Sequence, residues 1–276
     1  MTIVLITAIF ALLLAFVLGL ALGFFRQFFA VPINPLIAEI KGILPGGNCG
    51  ACGFPGCEGY ATALAEKKTG ISNCPVGGTA VAEKLAALIG GTVDVKPQVA
   101  VLACRGSKDK ALQRGQYIGV KTCRAARIST GSIKACTWGC QGFGDCVKVC
   151  QFGAITMGED GLPDIDPEKC TGCLRCSAEC PQHIIKMVPK DLRGAMPLCF
   201  NLNVLRTQVS KNCKNGCIKC EICVKNCPQQ CLKMSNGIPV TDYAKCTSCG
   251  TCTEKCPVKV MKLFPEEAPV EDLDPA

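Results

Sequence analysis

The residues able to do chemistry in this chain are its cysteines, 25 of them in 276 residues. Four tight groups lie in the C-terminal half: Cys136, Cys140, Cys146 and Cys150; Cys170, Cys173, Cys176 and Cys180; Cys217, Cys220, Cys223 and Cys227; Cys246, Cys249, Cys252 and Cys256. The last three groups read C-x2-C-x2-C-x3-C-P without deviation. Thiolates at this spacing hold [4Fe–4S] clusters, and in two-cluster domains the fourth cysteine of each run ligates the other run's cluster. A disulfide framework is the competing use of so many cysteines. The ligand spacing, the odd count and the lack of a cleavable export signal speak against it.

Crossed ligation predicts four sets. The first pair is Cys136, Cys140, Cys146 with Cys180, and Cys170, Cys173, Cys176 with Cys150. The second pair is Cys217, Cys220, Cys223 with Cys256, and Cys246, Cys249, Cys252 with Cys227. The first run departs from the pattern: it is C-x3-C-x5-C-x3-C, and Gln151 stands in place of the proline. Its wider loop, TWGCQGFGDC, reshapes the cluster's surroundings, and the places of Cys136 and Cys140 in the set are the least fixed by spacing.

A fifth set lies upstream in GGNCGACGFPGC and the later Cys74-Pro75: Cys49, Cys52, Cys57 and Cys74. Glycines at 46, 47, 50, 53 and 56 let the backbone wrap closely round a cluster and aim N–H groups at its sulfurs. Four cysteines can also hold zinc; the glycine wrap and the neighbouring runs favour [4Fe–4S]. Five cysteines are left over. Cys231 opens a predicted strand and is read as core packing. Cys104, Cys123, Cys199 and Cys213 form two pairs flanking the first doubled run. A chain folded back on itself would bring these four together as ligands of a sixth [4Fe–4S] cluster; four buried free thiols are the alternative.

The elements that must position these residues follow from pattern. Residues 2–25 carry no charge, and at 1.5 Å per residue they reach across a hydrocarbon core of about 30 Å. Segment 1–26 is therefore predicted to be a transmembrane anchor. The first cationic residues after it are Arg26, Lys41, Lys67 and Lys68, which places the remaining domains on the cytoplasmic side. Residues 33–91 form a small [4Fe–4S] domain with helices in EGYATALAEKK, ended by Gly70, and in TAVAEKLAALI, capped by Thr79 and stopped at Gly90-Gly91. Residues 96–132 connect, with a short buried strand in QVAVLAC and an exposed stretch in RGSKDKALQRG. Residues 133–188 and 213–264 repeat one plan: a cysteine run, a hairpin (AITMGEDGLPDID, CLKMSNGIPVTD), a second run and a closing strand (IIKMV, VMKLF). This is an internal duplication. Residues 189–212 link the units, and 265–276 form an acidic, Pro-rich tail with the composition of disorder. The fold class is thus α+β: one transmembrane helix, a small [4Fe–4S] domain and two tandem bacterial-type 2[4Fe–4S] ferredoxin-like units.

The formal charge is +8, but each four-thiolate cluster adds about −2, so five clusters bring on the order of −10. The basic balance therefore carries no weight as a sign of nucleic acid. No G-x-G-x-x-G follows a strand and no Walker sequence is present, so no nicotinamide or nucleotide site is read here. Residues 2–25 hold no ionisable side chain, so no ion path is read in them. His183, the one histidine, is placed in a surface turn.

The apolar N-terminal helix, GGNCGACGFPGC with its later CP, and the tandem runs together resemble the B subunit of Rnf complexes, which are ion-translocating ferredoxin:NAD+ oxidoreductases. The resemblance spans nearly the whole chain and is closest to the longer members. It implies a translocase subunit that accepts electrons from soluble ferredoxin. It also implies partner subunits carrying flavin and further iron–sulfur groups, and contact with membrane lipid. An electron carrier of another membrane oxidoreductase, or a non-catalytic iron–sulfur sensor, are the competing readings.

Overall fold

The structure is a computed structural model and describes residues 1–29, 34–203 and 205–265. The acidic tail expected from 265 onward lies, past Pro265, outside the described residues. Helix α1 (Thr2–Phe28) is one continuous helix with exposed apolar side chains. Its stretch Thr2–Arg26 is long and apolar enough to cross a membrane.

The small N-terminal domain packs α2 (Pro35–Ile43), α3 (Gly56–Ala65) and α4 (Gly78–Ile89) around Ile40, Tyr60, Leu64 and Leu85. The periodicity argument passed over α2. Its start is written locally: Pro35 opens it, and the Asn34 side chain accepts from the Leu36 N–H at 3.0 Å. Helix α3 ends at Ala65, short of Gly70, and α4 takes Gly77 rather than Thr79 as its N-cap. Gly90, at φ 74°, stops α4 as expected.

Behind this domain the duplication is visible in the strands. The first unit contains β1 (Gln98–Leu102), α5 (Cys123–Thr130), α6 (Asp145–Lys148), β2 (Ile155–Met157), β3 (Pro163–Ile165), α7 (Arg175–Glu179) and β4 (Ile185–Pro189). The second contains β5 (Gly194–Pro197), α8 (Arg206–Asn212), α9 (Ile222–Lys225), β6 (Leu232–Ser235), β7 (Ile238–Thr241), α10 (Thr251–Glu254) and β8 (Met261–Phe264). β2 pairs with β3 and β6 with β7 as antiparallel hairpins. The second hairpin turns on Asn236 and Gly237, both with positive φ, as a type I′ turn requires.

The closing strands do not pair within the repeats. β4 pairs antiparallel with β1, and β8 with β5. The segments read as connector and linker therefore each supply the strand that completes a unit. Val99 and Val188 from the first pair pack with Met196 and Leu198 beside the second, with Phe264 against them. This small core joins the two units.

Candidate metal centres

Each cysteine run folds into the same loop. The residues flanking its central position have positive φ: Gly172 and Leu174, Lys219 and Glu221, Ser248 and Gly250, and Gly142 and Gly144. The second residue of each pair is the N-cap of the short helix that follows. Two left-handed residues around one cysteine curl the chain so that its thiol and amides face inward. Glycine is needed where space is short: a Cβ on Gly172 would sit 2.5 Å from the Gln98 carbonyl oxygen of β1. The β1 amide of Ala100 in turn donates to Cys170 Sγ at 3.4 Å.

In three of these loops the central residue is a cysteine: Cys173, Cys220 and Cys249. In the first loop it is Phe143, whose ring lies 5.6 Å from that of Tyr117. Counted this way, Cys140, Cys146 and Cys150 match Cys217, Cys223 and Cys227 position for position. The first run is an ordinary run with one ligand replaced, and Cys136 lies outside it. Spacing read forward from Cys136 hid this; spacing read back from Cys150 reveals it.

The cysteines line separate cavities. Cys49, Cys52, Cys57 and Cys74 line one cavity. Their loop is held by Asn48, whose Oδ1 accepts from the Cys57 N–H at 2.8 Å. Cys217, Cys220, Cys223 and Cys256 line a second. Cys227, Cys246, Cys249 and Cys252 line a third, with Cys231 also in its wall. Cys176 is buried in the first unit's core in one cluster with Cys146, Cys150, Cys170 and Cys180. Each of the three cavities gathers thiols that spacing grouped together. The remaining two differ. Cys123, Cys140, Cys146 and Cys180 line one cavity, and Cys104, Cys136, Cys199 and Cys213 line another. The sequence-based sets placed Cys136 in the first of these and Cys123 in the second; the structure exchanges them.

Local chemistry fixes Cys123 in that place. It opens α5, where Thr122 Oγ1 accepts from Ala125 N–H at 3.1 Å and the buried Asp145 Oδ2 accepts from Arg124 N–H at 3.2 Å. Asp145 opens α6, so one carboxylate pins the outside helix to the run it serves. Cys231 is buried in the second unit's core, 3.3 Å from Cys227. His183 lies exposed in a turn.

The donor sets suit polynuclear clusters better than single ions. Zinc draws four sulfurs onto one point through bonds of about 2.3 Å. Among the described residues no group of three or more His, Cys, Asp or Glu is gathered to hold one ion; the thiols ring cavities instead. Burial pushes the thiols of Cys136, Cys140, Cys176 and Cys252 up to about 12. Such thiols stay protonated unless iron charge holds them as thiolates. Lys219 makes the same point from the opposite sign. Among the described residues its Nζ, buried in the wall of the Cys217 cavity, has no hydrogen-bond partner. A buried lone ammonium is costly, and a dianionic four-thiolate cluster supplies its counter-charge.

Comparison with known proteins finds iron–sulfur domains over the same segments. The Fe-S cluster family model matches residues 44–76, and the 4Fe-4S dicluster domain model matches residues 135–184 and again 216–267. The chain is 37% identical over 236 residues to the B subunit of the ion-translocating oxidoreductase complex of Methanosarcina acetivorans, covering 85% of this chain and 89% of that one. It is 35% identical over 245 residues to the B subunit of the Na(+)-translocating ferredoxin:NAD(+) oxidoreductase complex of Acetobacterium woodii, covering 78% and 73%. It is 39% identical over 238 residues to the B subunit of the proton-translocating ferredoxin:NAD(+) oxidoreductase complex of Clostridium ljungdahlii, covering 86% and 83%.

Proposed function

The chain belongs to the family of B subunits of Rnf-type ion-translocating ferredoxin:NAD+ oxidoreductase complexes, and we propose that it takes electrons from reduced soluble ferredoxin and relays them to the partner subunits. It is an iron–sulfur electron-transfer subunit, anchored in the membrane by α1. The partners that receive the electrons carry flavin or further iron–sulfur groups, and the cluster domains face the cytoplasm, on the side of the basic residues after α1.

The observation that carries this reading is the succession of cysteine-lined cavities behind a membrane-spanning helix. Bound [4Fe–4S] clusters supply one-electron storage and transfer. The protein's part is to hold them, to aim backbone N–H groups at their sulfurs and to balance their charge with buried lysines. Cys49, Cys52, Cys57 and Cys74 in the N-terminal domain and the thiols gathered in the two units behind it hold at least five clusters. Na+ and H+ are the coupling ions named for two relatives; α1 holds no ionisable group before Arg26, so the ion path is assigned to the partners.

EPR of the purified chain mixed with reduced ferredoxin tests the reading. Cluster signals should grow in within milliseconds to seconds. Clusters that stay oxidised would make the chain a scaffold or sensor instead.

A further inference from the structure

We infer that Cys104, Cys136, Cys199 and Cys213 ligate a further [4Fe–4S] cluster at the junction of the two ferredoxin-like units, and that Cys123 takes the fourth ligand position of the neighbouring cluster with Cys140, Cys146 and Cys180. The inference rests on the iron–sulfur reading above and adds a site that neither the dicluster repeats nor the N-terminal domain contains.

The first argument is the duplication. Cys104 follows β1 and Cys199 follows β5 at the same distance: the residues before them, Ala103 and Leu198, donate N–H to Ile184 and Val260 carbonyls at 2.8 Å in each case. Cys136 precedes Cys140 by the same x3 spacing with which Cys213 precedes Cys217. Each unit therefore contributes two thiols from equivalent positions, and the four meet in one cavity. Four leftover thiols with no common purpose would have no reason to be placed twice and then brought together.

The second argument is the environment of the sulfurs. Cys104 Sγ accepts from the N–H groups of Gly106 at 3.4 Å and Cys140 at 3.5 Å. Cys199 Sγ accepts from Cys217 N–H at 3.4 Å, and Cys136 Sγ faces the Asn201 amide at 3.6 Å. Such donors stabilise anionic sulfur. Lys134 in the same wall is 3% exposed, and its Nζ donates to the Gly106 carbonyl at 2.6 Å. Among the described residues no carboxylate lines this cavity, so there a buried cation meets four thiols and lacks an anion until they are ligated.

The third argument is Phe143. It occupies the position of Cys220 and cannot ligate, so the first run needs a thiol from elsewhere. Cys123, at the start of α5, is the cysteine that lines that cavity from outside the two runs. With Cys123 in place, Cys136 is free to serve the junction.

The position has a consequence for electron flow. The amide of Cys140 touches Cys104 Sγ, and the amide of Cys217 touches Cys199 Sγ. A ligand of each unit's own cluster is therefore one N–H···S contact from the junction site, which makes that site the stage between the units.

Iron and acid-labile sulfide counts on the full-length, anaerobically reconstituted holoprotein test this. The wild type should hold about 24 irons. C104A, C136A, C199A and C213A should each lose about four, and the C104A/C136A double no more than about four, whereas C104A/C123A should lose about eight. A wild-type count near 20 that C104A and C199A leave unchanged would remove the junction cluster. A loss of about eight in C104A/C136A, with about four in C104A/C123A, would return Cys136 to the first run and overturn the exchange. Where an alanine variant fails to fold, serine variants carry the test. C104S, C136S, C199S and C213S must perturb one and the same EPR signal, and C123S another; any other grouping overturns the assignment. These counts do not depend on ferredoxin, so they stand or fall separately from the electron-acceptor reading.

Discussion

Phe143 sits between Gly142 and Gly144 in a loop whose backbone already has the turn of a cysteine-bearing run. Placing a thiol there should therefore restore a ligand without remodelling. Cys123→Ala alone should lose about four irons, and Phe143→Cys in that background should restore them, read by iron content and by recovery of the reduced-cluster EPR signal. Lys219 belongs to the same scale. Its unpartnered Nζ lies in the wall of the Cys217 cavity and favours the more negative, reduced state of a cluster held there. Lys219→Met should lower one reduction potential by about 50 mV, roughly 1 kcal/mol for one electron, measured by redox titration. At this scale the sequence was nearly sufficient. Ligand spacing is a local property, so the cysteines of the three regular runs and of the GGNCGACGFPGC segment could be proposed as ligands from spacing alone. Phe143 was not, because the extra Cys136 gave the first run a fourth cysteine and masked the missing one.

Among the elements, the strands that finish each ferredoxin-like unit come from outside the repeats. β1 reaches the Cys170 run closely enough that its Gln98 carbonyl faces Gly172 and its Ala100 amide donates to Cys170 Sγ. Gly172→Ala should drive a methyl group against that carbonyl while forcing alanine to a φ of 70°. The expected cost is about 2 kcal/mol, seen as a lower unfolding midpoint and faster loss of iron to a chelator. QVAVLAC was recognisable as a strand from its apolar run, but its partner was not, since β1 and β4 are separated by most of the unit. β5 was missed altogether: GAMP is short and carries no alternation, and only pairing with β8 makes it a strand.

For the molecule as a whole, the apolar cores are small and each lies beside or among cysteine-lined cavities. Metal binding should therefore supply much of the folding free energy. Stripping iron from the detergent-solubilised protein should abolish the near-ultraviolet circular dichroism of the cluster domains. The helical signal of α1, which needs no cluster, should remain. An unchanged tertiary signal in the apoprotein would show that the cores suffice alone.

The sequence by itself determined the chemistry, the tandem units, the membrane-spanning helix and the family. Those properties are carried by short spacings, composition and repetition, which a linear reading preserves. It also offered Cys104, Cys123, Cys199 and Cys213 as the ligands of a sixth cluster, with four buried free thiols as the alternative. Which thiols share a cavity was decided only by the tertiary structure. A ligand set is a statement about distance in space, and the pairing of β1 with β4 and of β5 with β8 brings Cys104 and Cys199 to one junction from 95 positions apart. The capping of α5 by Asp145 then sends Cys123 to the first run and leaves Cys136 to the junction.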